Sequence, residues 1–236
     1  MKLFKAIQKT GVARRRAAQL VLSGRVTVDG KTIKEPWHEV WPGQVIKIDG
    51  EELNWTEDQE FLYYAFHKPQ GYVTALSDPS APHIGRLIKN KKLRPAGRLD
   101  KDVSGLLILT NDGVLINKLT HPRYQIEREY IAIVYGNPPE SKLDLLKRGV
   151  IVNGERLYCK DIKVLNTTMT TAKLRIIMTQ GRKREIKRLF KAIGHRVLSL
   201  KRIRHGPITI ELVPEPCNLK EIRGALLQKL LAIKKL

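Results

Sequence analysis

The chain is poor in cysteine, in acidic residues and in long apolar runs, and each shortage excludes a class of protein. Its two cysteines, Cys159 and Cys217, are far apart and lack the spacing of metal ligands. This favours free thiols in a reducing compartment over a disulfide-bonded secreted fold. No apolar run reaches the roughly 18 residues of a membrane-spanning helix, and the N-terminal apolar stretch is too short for a signal peptide. The sequence therefore predicts a soluble, cytoplasmic protein without a membrane partner.

Several cofactor and catalytic motifs are also missing. No two of the 17 glycines are two positions apart, so the GxG element of dinucleotide-binding loops is absent and a glycine-rich methyl-donor loop is disfavoured. Glu155 stands where a P-loop beginning at Gly149 would need a lysine. The six histidines form no HExxH motif, and Ser104-Gly105 lacks the GxSxG turn of hydrolases. We expect no metal and no cofactor, which leaves chemistry built from Asp, Arg, Lys and Tyr.

Positive charge is what the chain has in excess. The 44 Lys and Arg residues oppose 23 Asp and Glu, which gives a formal net charge of +21. Because charge of this size repels itself within a folded protein, it usually reflects a polyanionic partner. The 42% hydrophobic content is still sufficient for a core. We therefore expect a folded protein whose partner is nucleic acid.

The distribution of charge divides the chain into two modules. Residues 1–48 carry ten Lys/Arg and three acids, whereas residues 49–60 carry six acids and no base. We interpret this reversal as an acidic linker, 51–60, between a domain of residues 1–50 and a domain of residues 61–236.

The first module is predicted to be a short helical pair followed by a β-hairpin. Apolar residues recur at helical spacing from Ala13 to Leu22. Asp29-Gly30, which follows an alternating apolar pattern, suits a tight hairpin turn with positive φ. The basic residues taken as candidate RNA contacts are Arg14, Arg15, Arg16 and Arg25. The alternative is an ordinary α+β domain with a solvated charged helix.

The second module alternates strand-like and helical patterns. Strands are predicted at residues 61–66, 106–109, 129–134, 172–178 and 208–212. The clearest helix is 183–193, whose apolar residues follow the i, i+3, i+4, i+7 spacing. The segment 182–206 holds ten Lys/Arg and one acid, so we favour a phosphate-facing surface over a merely solvated one. The candidate RNA contacts there are Arg182, Arg184 and Arg188.

An acid surrounded by cations marks the candidate site. Asp100 lies in GRLDKDVSGLLILTNDG (97–113), between Arg98 and Lys101 and shortly before an apolar strand. The cations would attract a phosphate backbone and hold it beside the carboxylate, which predicts an acid that acts on nucleic acid. The loop alone leaves open the alternative of a solvated aspartate that is paired with a neighbouring arginine.

Four segments together resemble the bacterial ribosomal RNA pseudouridine synthases of the RsuA/RluB type. The segments are FHKPQGYVTALSDP (66–79), GRLDKDVSGLLILTNDG (97–113), EREYIAIVYG (127–136) and QGRKREIKRLFKAIGHRVLSLKRIRHGPI (180–208). Residues 1–50 are similar to the αL-type RNA-binding module of a small-subunit ribosomal protein. The resemblance implies an α+β protein, in which this small domain is joined to a larger catalytic domain. The larger domain is expected to have a mixed, mainly antiparallel sheet with flanking helices.

The resemblance also implies roles for individual residues. Asp100 falls on the essential aspartate, Tyr130 on the aromatic that stacks on the extruded uracil, and Lys187 on the basic residue that pairs with the aspartate. Arg98 falls on the arginine that helps to fill the gap left by the flipped base. Many relatives have arginine in place of Lys187, and a lysine provides a point charge rather than a bidentate fork. Glu185 replaces a common glutamine.

We therefore expect an enzyme that isomerises one uridine of ribosomal RNA, preferably of the large subunit, as a monomer without a cofactor. The substrate would be ribosomal RNA or a precursor of the ribosomal subunit. The carboxylate can either attack the sugar or remove a neighbouring proton, and the sequence leaves both routes open. Small-subunit RNA is the nearest alternative substrate, and a non-catalytic RNA-binding assembly factor is the alternative class of protein.

Overall fold

The chain divides into two units, Met1–Phe61 and Leu62–Leu236, in a computed structural model that describes residues 1–55 and 60–236. Each unit has its own buried apolar clusters. No helix within these described ranges is long and apolar enough to cross a membrane.

Unit 1 consists of two short helices and a small antiparallel sheet. Its elements are α1 (Leu3–Lys9), α2 (Arg14–Leu22), β1 (Val26–Val28), β2 (Lys31–Thr32), β3 (Ile46–Ile48) and β4 (Glu51–Glu52), with the sheet order β2-β1-β3-β4. The apolar face of α2, which includes Ala17 and Leu20, packs on the residues of α1 and β1. Asp29 and Gly30 have φ angles of 49° and 80° and close the β1–β2 turn, which confirms the predicted hairpin.

The acidic stretch begins inside this sheet rather than in a linker. Strand β4 pairs with β3, and Leu53 and Trp55 pack against the core of unit 1. The first part of the predicted linker, 51–55, therefore belongs to unit 1. The acids Glu57 and Asp58 lie outside the described residues.

The excess positive charge is concentrated in unit 2. Residues 1–61 contain ten Lys/Arg and nine Asp/Glu, whereas residues 62–236 contain 34 and 14, respectively. The larger unit therefore carries +20 of the net charge of +21. Residues 1–50, the predicted first module, hold ten Lys/Arg and four Asp/Glu and are basic, whereas unit 1 as a whole is nearly neutral because it also includes the acids that follow.

Unit 2 is built on a large mixed sheet. Its strands are β5 (Tyr63–Lys68), β6 (Arg94–Pro95), β7 (Ser104–Thr110), β8 (Arg128–Tyr135), β9 (Val150–Val152), β10 (Glu155–Leu157), β11 (Asp161–Thr167), β12 (Thr171–Met178), β13 (Val197–His205), β14 (Ile208–Thr209) and β15 (Leu219–Glu221). Its α-helices are α3 (Gly113–Thr120), α4 (Glu140–Arg148), α5 (Glu185–Ala192) and α6 (Gly224–Ala232). Short 3-10 helices occur at Ile84–Arg86, Pro122–Tyr124, Ile210–Leu212 and Ile233–Lys235.

The main sheet has nine strands, with the order β11-β12-β8-β13-β7-β5-β15 and with β14 and β6 paired beside it. Strands β13 and β7 pair in parallel, and the other pairings described are antiparallel. Strands β9 and β10 form a separate hairpin. This confirms the predicted α+β fold with a mixed, mainly antiparallel sheet. The predicted strand at 208–212 is shorter than expected, because it turns into a 3-10 helix after Thr209.

Strand β7 lies at the centre of the unit and is buried on both faces. Leu106 and Ile108 belong to an apolar cluster with residues of α3 and α6, whereas Leu107 and Leu109 belong to a cluster on the other face. A strand that is covered on both sides has an unbroken apolar sequence, as this one has. The C-terminal tail also packs here through the buried residue Leu230. The loop that enters β7 is therefore attached to the most deeply buried strand.

Candidate active site

The loop that carries Asp100 connects β6 to β7, and its backbone is fixed on both sides of the aspartate. The buried residue Leu99 donates its N–H to Thr74 Oγ1 (3.0 Å), and the Thr74 hydroxyl donates to the Leu99 carbonyl (2.7 Å). The N–H of Val103 donates to the carbonyl of Asp100 (3.0 Å) and closes a turn. Because these bonds hold the main chain, the position of the Asp100 backbone, and with it the direction of its Cα–Cβ bond, is set before any ligand binds.

A buried lysine supports this loop and was not singled out from the sequence. Lys68, at the end of β5, is fully buried, and its Nζ donates to the carbonyls of Val103 (2.7 Å) and Pro69 (2.9 Å). Burial lowers the pKa of Lys68 to about 8, although two aspartates of the loop oppose the shift. Apolar periodicity does not indicate a buried lysine. The sequence feature that could have identified Lys68 is its position in the FHKPQG motif.

We expect Lys68→Met to lower kcat by about 10²-fold, a loss of the size caused by displacing a catalytic group by about 1 Å. The substitution leaves the carbonyls of Val103 and Pro69 without their ammonium donor, so the loop should shift. RNA affinity should change by less than about threefold, because Lys68 is buried beneath the surface. Single-turnover rates and binding titrations on the same RNA separate the two effects, and a normal kcat would show that the loop does not depend on Lys68.

Gly105 brings the loop next to the centre of the sheet. A Cβ atom at this position would lie 2.2 Å from the carbonyl oxygen of Arg202, and its φ angle is +111°. Glycine is therefore required where β7 approaches β13. In the sheet, Gly105 pairs with Arg202 and Arg202 pairs with Tyr130, so β7, β13 and β8 align these three residues in one row. This row places the loop of Asp100 on the same part of the sheet as Tyr130.

The three residues predicted to be catalytic line one cleft with a volume of about 370 Å³. Asp100 contributes from the loop before β7, Tyr130 from β8 and Lys187 from α5. The predicted RNA contacts Arg98, Arg182 and Arg184 line the same cleft. Its volume is within the usual range of small-ligand sites, roughly 300–1,000 Å³. No group of three or more His, Cys, Asp or Glu residues arranged to hold a metal occurs in the described part of the chain.

Lys187 is paired with Asp102 and not with Asp100, so the predicted pairing is wrong for this structure. The Lys187 Nζ donates to Asp102 Oδ2, and this hydrogen bond lowers the pKa of the Asp102 carboxyl. The Asp100 carboxylate makes no hydrogen bond or ion pair with the residues that the structure describes. The cation is thus fixed at the cleft by a neighbouring acid, while the carboxylate of Asp100 is left available to a ligand.

The segment before α5 forms a wall of the cleft and is held by Glu185. The Glu185 carboxylate accepts from the N–H of Arg182 (3.1 Å), and the N–H of Glu185 donates to the Arg182 carbonyl (3.2 Å). Arg184 between them has a left-handed backbone, with a φ angle of 52°. Burial raises the pKa of Glu185. Because a glutamine side-chain oxygen could accept the same hydrogen bond, the replacement of a common glutamine by glutamate preserves this contact.

Two other predicted RNA contacts of unit 2 lie outside the cleft. Lys101 borders a second concavity that also includes Asp100. Arg188 donates from Nη2 to Glu155 Oε2 (2.6 Å) and to the Val152 carbonyl (3.0 Å). It therefore ties α5 to the β9–β10 hairpin, and contact with RNA would require this carboxylate to be displaced.

The predicted contacts of unit 1 also fall into two groups. Arg25 forms two hydrogen bonds with Asp49, one of them from Nε to Oδ1 at 2.6 Å. The three arginines of α2 are exposed and form no ion pair within the described ranges; they are Arg14, Arg15 and Arg16. The three arginines of α2 therefore remain available to phosphates, whereas Arg25 is paired with Asp49.

Two cations of the predicted phosphate-facing segment instead have structural roles in β13. Arg202 is 2% exposed, and its Nε donates to the Leu106 carbonyl at 2.7 Å. Arg204 pairs with Glu127 and Glu129, each at 2.9 Å. The expectation of one continuous RNA-facing surface over 182–206 is wrong at these positions, because β13 is an internal strand of the sheet.

The chain matches two family models: RNA pseudouridylate synthase over residues 62–192 and the S4 domain over residues 1–46. It is 37% identical to ribosomal large subunit pseudouridine synthase B of Bacillus subtilis, over 85% of this chain and 84% of that protein. It is 38% identical to the protein of the same name from Salmonella typhi, over 89% of this chain and 75% of that protein. A crystal structure of a pseudouridylate synthase superposes with a TM-score of 0.68 at 26% identity, and covers 98% of this chain and 99% of its own. The chain belongs to the RNA pseudouridylate synthase family.

Proposed function

We propose that the protein converts a uridine of large-subunit ribosomal RNA to pseudouridine, with Asp100 as the essential carboxylate. The observation that carries this proposal is the cleft in which Asp100, Tyr130 and Lys187 meet, in a chain of this family. The relatives from Bacillus subtilis and Salmonella typhi are both named for the large ribosomal subunit, which favours that substrate over small-subunit RNA.

The reaction depends mainly on one carboxylate, that of Asp100. The bond between ribose C1′ and uracil N1 breaks, the base turns, and a bond forms between C1′ and C5. The proton of C5 is lost while N1 gains one, so atoms and electrons balance within the nucleoside. Asp100 can begin this sequence either by attacking C1′ or by removing the proton of C2′. Both routes require an accessible carboxylate, and that of Asp100 has no hydrogen-bond partner among the described residues.

The surrounding residues offset the free-energy cost of moving the base out of its stack. Removing a uridine from its stack costs a few kcal/mol, and stacking on one aromatic ring returns about 1–3 kcal/mol. Tyr130 is fixed in β8 between β12 and β13, so we assign it as the ring that holds the flipped uracil. Arg98, which is exposed in the loop of Asp100, is assigned to the space that the base leaves. Lys187, held by Asp102, supplies positive charge where the departing uracil becomes negative.

We propose that the protein acts as a monomer in the cytoplasm, on ribosomal RNA or a subunit precursor and without a cofactor. The isomerisation consumes no electrons and no second substrate, so its chemistry needs no redox group or nucleotide. The two units are proposed to divide the work: unit 1 contributes to RNA recognition and unit 2 contains the chemistry.

Substitutions of Tyr130 should separate stacking from the hydroxyl group. We expect Tyr130→Leu to lower kcat/KM by about 10- to 100-fold, because the loss of one stacked ring is worth about 1–3 kcal/mol. Tyr130→Phe keeps the ring and should remain within about threefold of wild type. The hydroxyl has no hydrogen-bond partner in the part of the chain that is described, so its removal breaks no internal hydrogen bond. Equal losses in both variants would contradict a stacking role and indicate that the hydroxyl takes part in the reaction.

Mapping of pseudouridines in ribosomal RNA tests the function directly. In a strain that lacks this protein, we expect one pseudouridine to be missing from large-subunit RNA. Wild-type protein should restore it, and Asp100→Asn should not. Loss of a pseudouridine from small-subunit RNA would show that the assigned substrate is wrong and that the assigned reaction is correct. Defective ribosome assembly with all pseudouridines intact would instead support the non-catalytic assembly factor.

A further inference from the structure

An exposed tryptophan of unit 1 is held against a buried aromatic ring. Trp37 is 63% exposed, whereas Phe4, in α1, is 5% exposed. Their ring centroids are 5.6 Å apart and their planes cross at 82°, which is a favourable edge-to-face arrangement. The contact limits the orientations of the indole and leaves most of it open to solvent. Such a side chain can receive another flat ring without first being ordered.

The backbone on both sides of Trp37 is fixed as well. The N–H of Phe4 donates to the carbonyl of Pro36 (3.1 Å), and the N–H of Leu3 donates to the carbonyl of His38 (2.7 Å). These two bonds join the start of α1 to the residues immediately before and after Trp37. The indole therefore projects from an anchored segment.

One exposed cation, Arg14, lies against the same aromatic ring. The Arg14 guanidinium carbon is 5.4 Å from the centroid of the Phe4 ring, which is also the ring that contacts Trp37. Arg15 and Arg16 follow on α2, and none of the three arginines forms an ion pair within the described ranges. Cations of this kind bind phosphates, and an exposed aromatic ring stacks on nucleobases.

We propose that Trp37 is a stacking platform for one unpaired base of the RNA substrate, with Arg14 of α2 holding an adjoining phosphate. The inference rests on the proposed function only for the identity of the RNA, and it assigns a base contact to unit 1, whereas the residues that line the catalytic cleft belong to unit 2. Trp41 provides a matched control. It is 60% exposed but has no aromatic or cation–π contact with the described residues.

The positions of the tryptophans make the test specific. All three of them, Trp37, Trp41 and Trp55, lie in unit 1, so the tryptophan fluorescence of the full-length protein reports on that unit alone. Wild type, Trp37→Phe and Trp41→Phe are titrated with single-stranded oligouridylate and with a blunt RNA duplex. The single strand should quench wild type and Trp41→Phe but not Trp37→Phe. The blunt duplex, which offers no unpaired base along its length, should cause little quenching in any of them.

Affinity provides a second readout. We expect Trp37→Ala to weaken binding to a large-subunit ribosomal RNA transcript by about tenfold, and Trp41→Ala by less than about threefold. Thermal unfolding of each variant checks that unit 1 still folds. Quenching of Trp37→Phe equal to wild type, or equal quenching by the duplex, would overturn the platform. Protection of Trp37 from acrylamide in the RNA-free protein would also overturn it, since another surface would then cover the ring.

The same variants separate this inference from the proposed function. If they isomerise uridine and the quenching does not depend on Trp37, the platform is wrong and the function stands. If no uridine is converted by wild type and the quenching does depend on Trp37, the function is wrong and the platform stands.

Discussion

Asp100→Asn is expected to lower the rate of pseudouridine formation by about 10⁴-fold or more, the loss typical of removing a nucleophile or an essential base. An amide can neither attack C1′ nor accept the proton of C2′ at a useful rate. The Asp100 side chain has no partner among the described residues, so the substitution breaks no internal bond and should leave the unfolding temperature within about 2 °C. RNA labelled with tritium at uridine C5 gives the measurement, because each turnover releases that proton.

Asp102→Asn is the matched control for this prediction. It makes the same chemical change in the same loop, but Asp102 holds Lys187 and lines only the second concavity, whereas Asp100 also lines the catalytic cleft. We expect a loss of about tenfold, because Lys187 keeps its charge and loses only its orientation. RNA affinity should be close to wild type in both variants. Near-normal turnover by Asp100→Asn would exclude the role assigned to Asp100. Equal losses in the two variants would show that activity depends on the total negative charge of the loop and not on the Asp100 carboxylate in particular.

The parts of the fold that follow from local patterns could be predicted from the sequence. The unbroken apolar run of β7 is typical of a strand that is buried on both faces, and the i, i+3, i+4, i+7 spacing of α5 is typical of a helix that is buried on one face. The hairpin turn at Asp29-Gly30 follows from the need for positive φ. The site residues required the resemblance as well, because spacing alone does not distinguish Asp100 from a solvated loop acid.

Contacts between distant segments could not be predicted in this way. Strand β13 has a basic sequence, yet it lies inside the sheet. The Nε atom of its Arg202 donates to the Leu106 carbonyl of neighbouring β7, which lowers the cost of burying this cation. Lys68 is buried for a similar reason. The choice of Asp102 over Asp100 by Lys187 depends on the direction of two side chains in one turn. Each of these outcomes is fixed by pairing across the sheet or by loop geometry, which the local pattern of residues does not encode.

Removal of residues 1–61 is expected to weaken binding to the target RNA by about 10²-fold, with a smaller loss for an unrelated RNA duplex and little effect on the rate of the chemical step. Unit 2 retains +20 of the net charge and the whole catalytic cleft. General attraction to phosphates should therefore survive, since it depends on the number of available cations. The exposed arginines of α2 can contact any phosphate backbone, so their removal weakens binding to both RNAs. The indole of Trp37 stacks only on an unpaired base, so its removal makes the loss larger for the target. Dissociation constants for both RNAs, together with single-turnover rates at saturating protein, provide the measurement.

The dependence of binding on salt makes this prediction quantitative. Each phosphate contact contributes about 0.7–0.9 to the slope of log K against log salt, so the loss of the three arginines of α2 should reduce the slope by about 2–3. A full-length variant in which Arg14, Arg15 and Arg16 are all replaced by glutamine should show nearly the same reduction. It should also retain a preference for the target over the duplex, because Trp37 is intact and the duplex offers no unpaired base. An equal fall in affinity for target and unrelated RNA after truncation would mean that unit 1 contributes charge alone, and unchanged affinity would show that unit 2 recognises the RNA by itself.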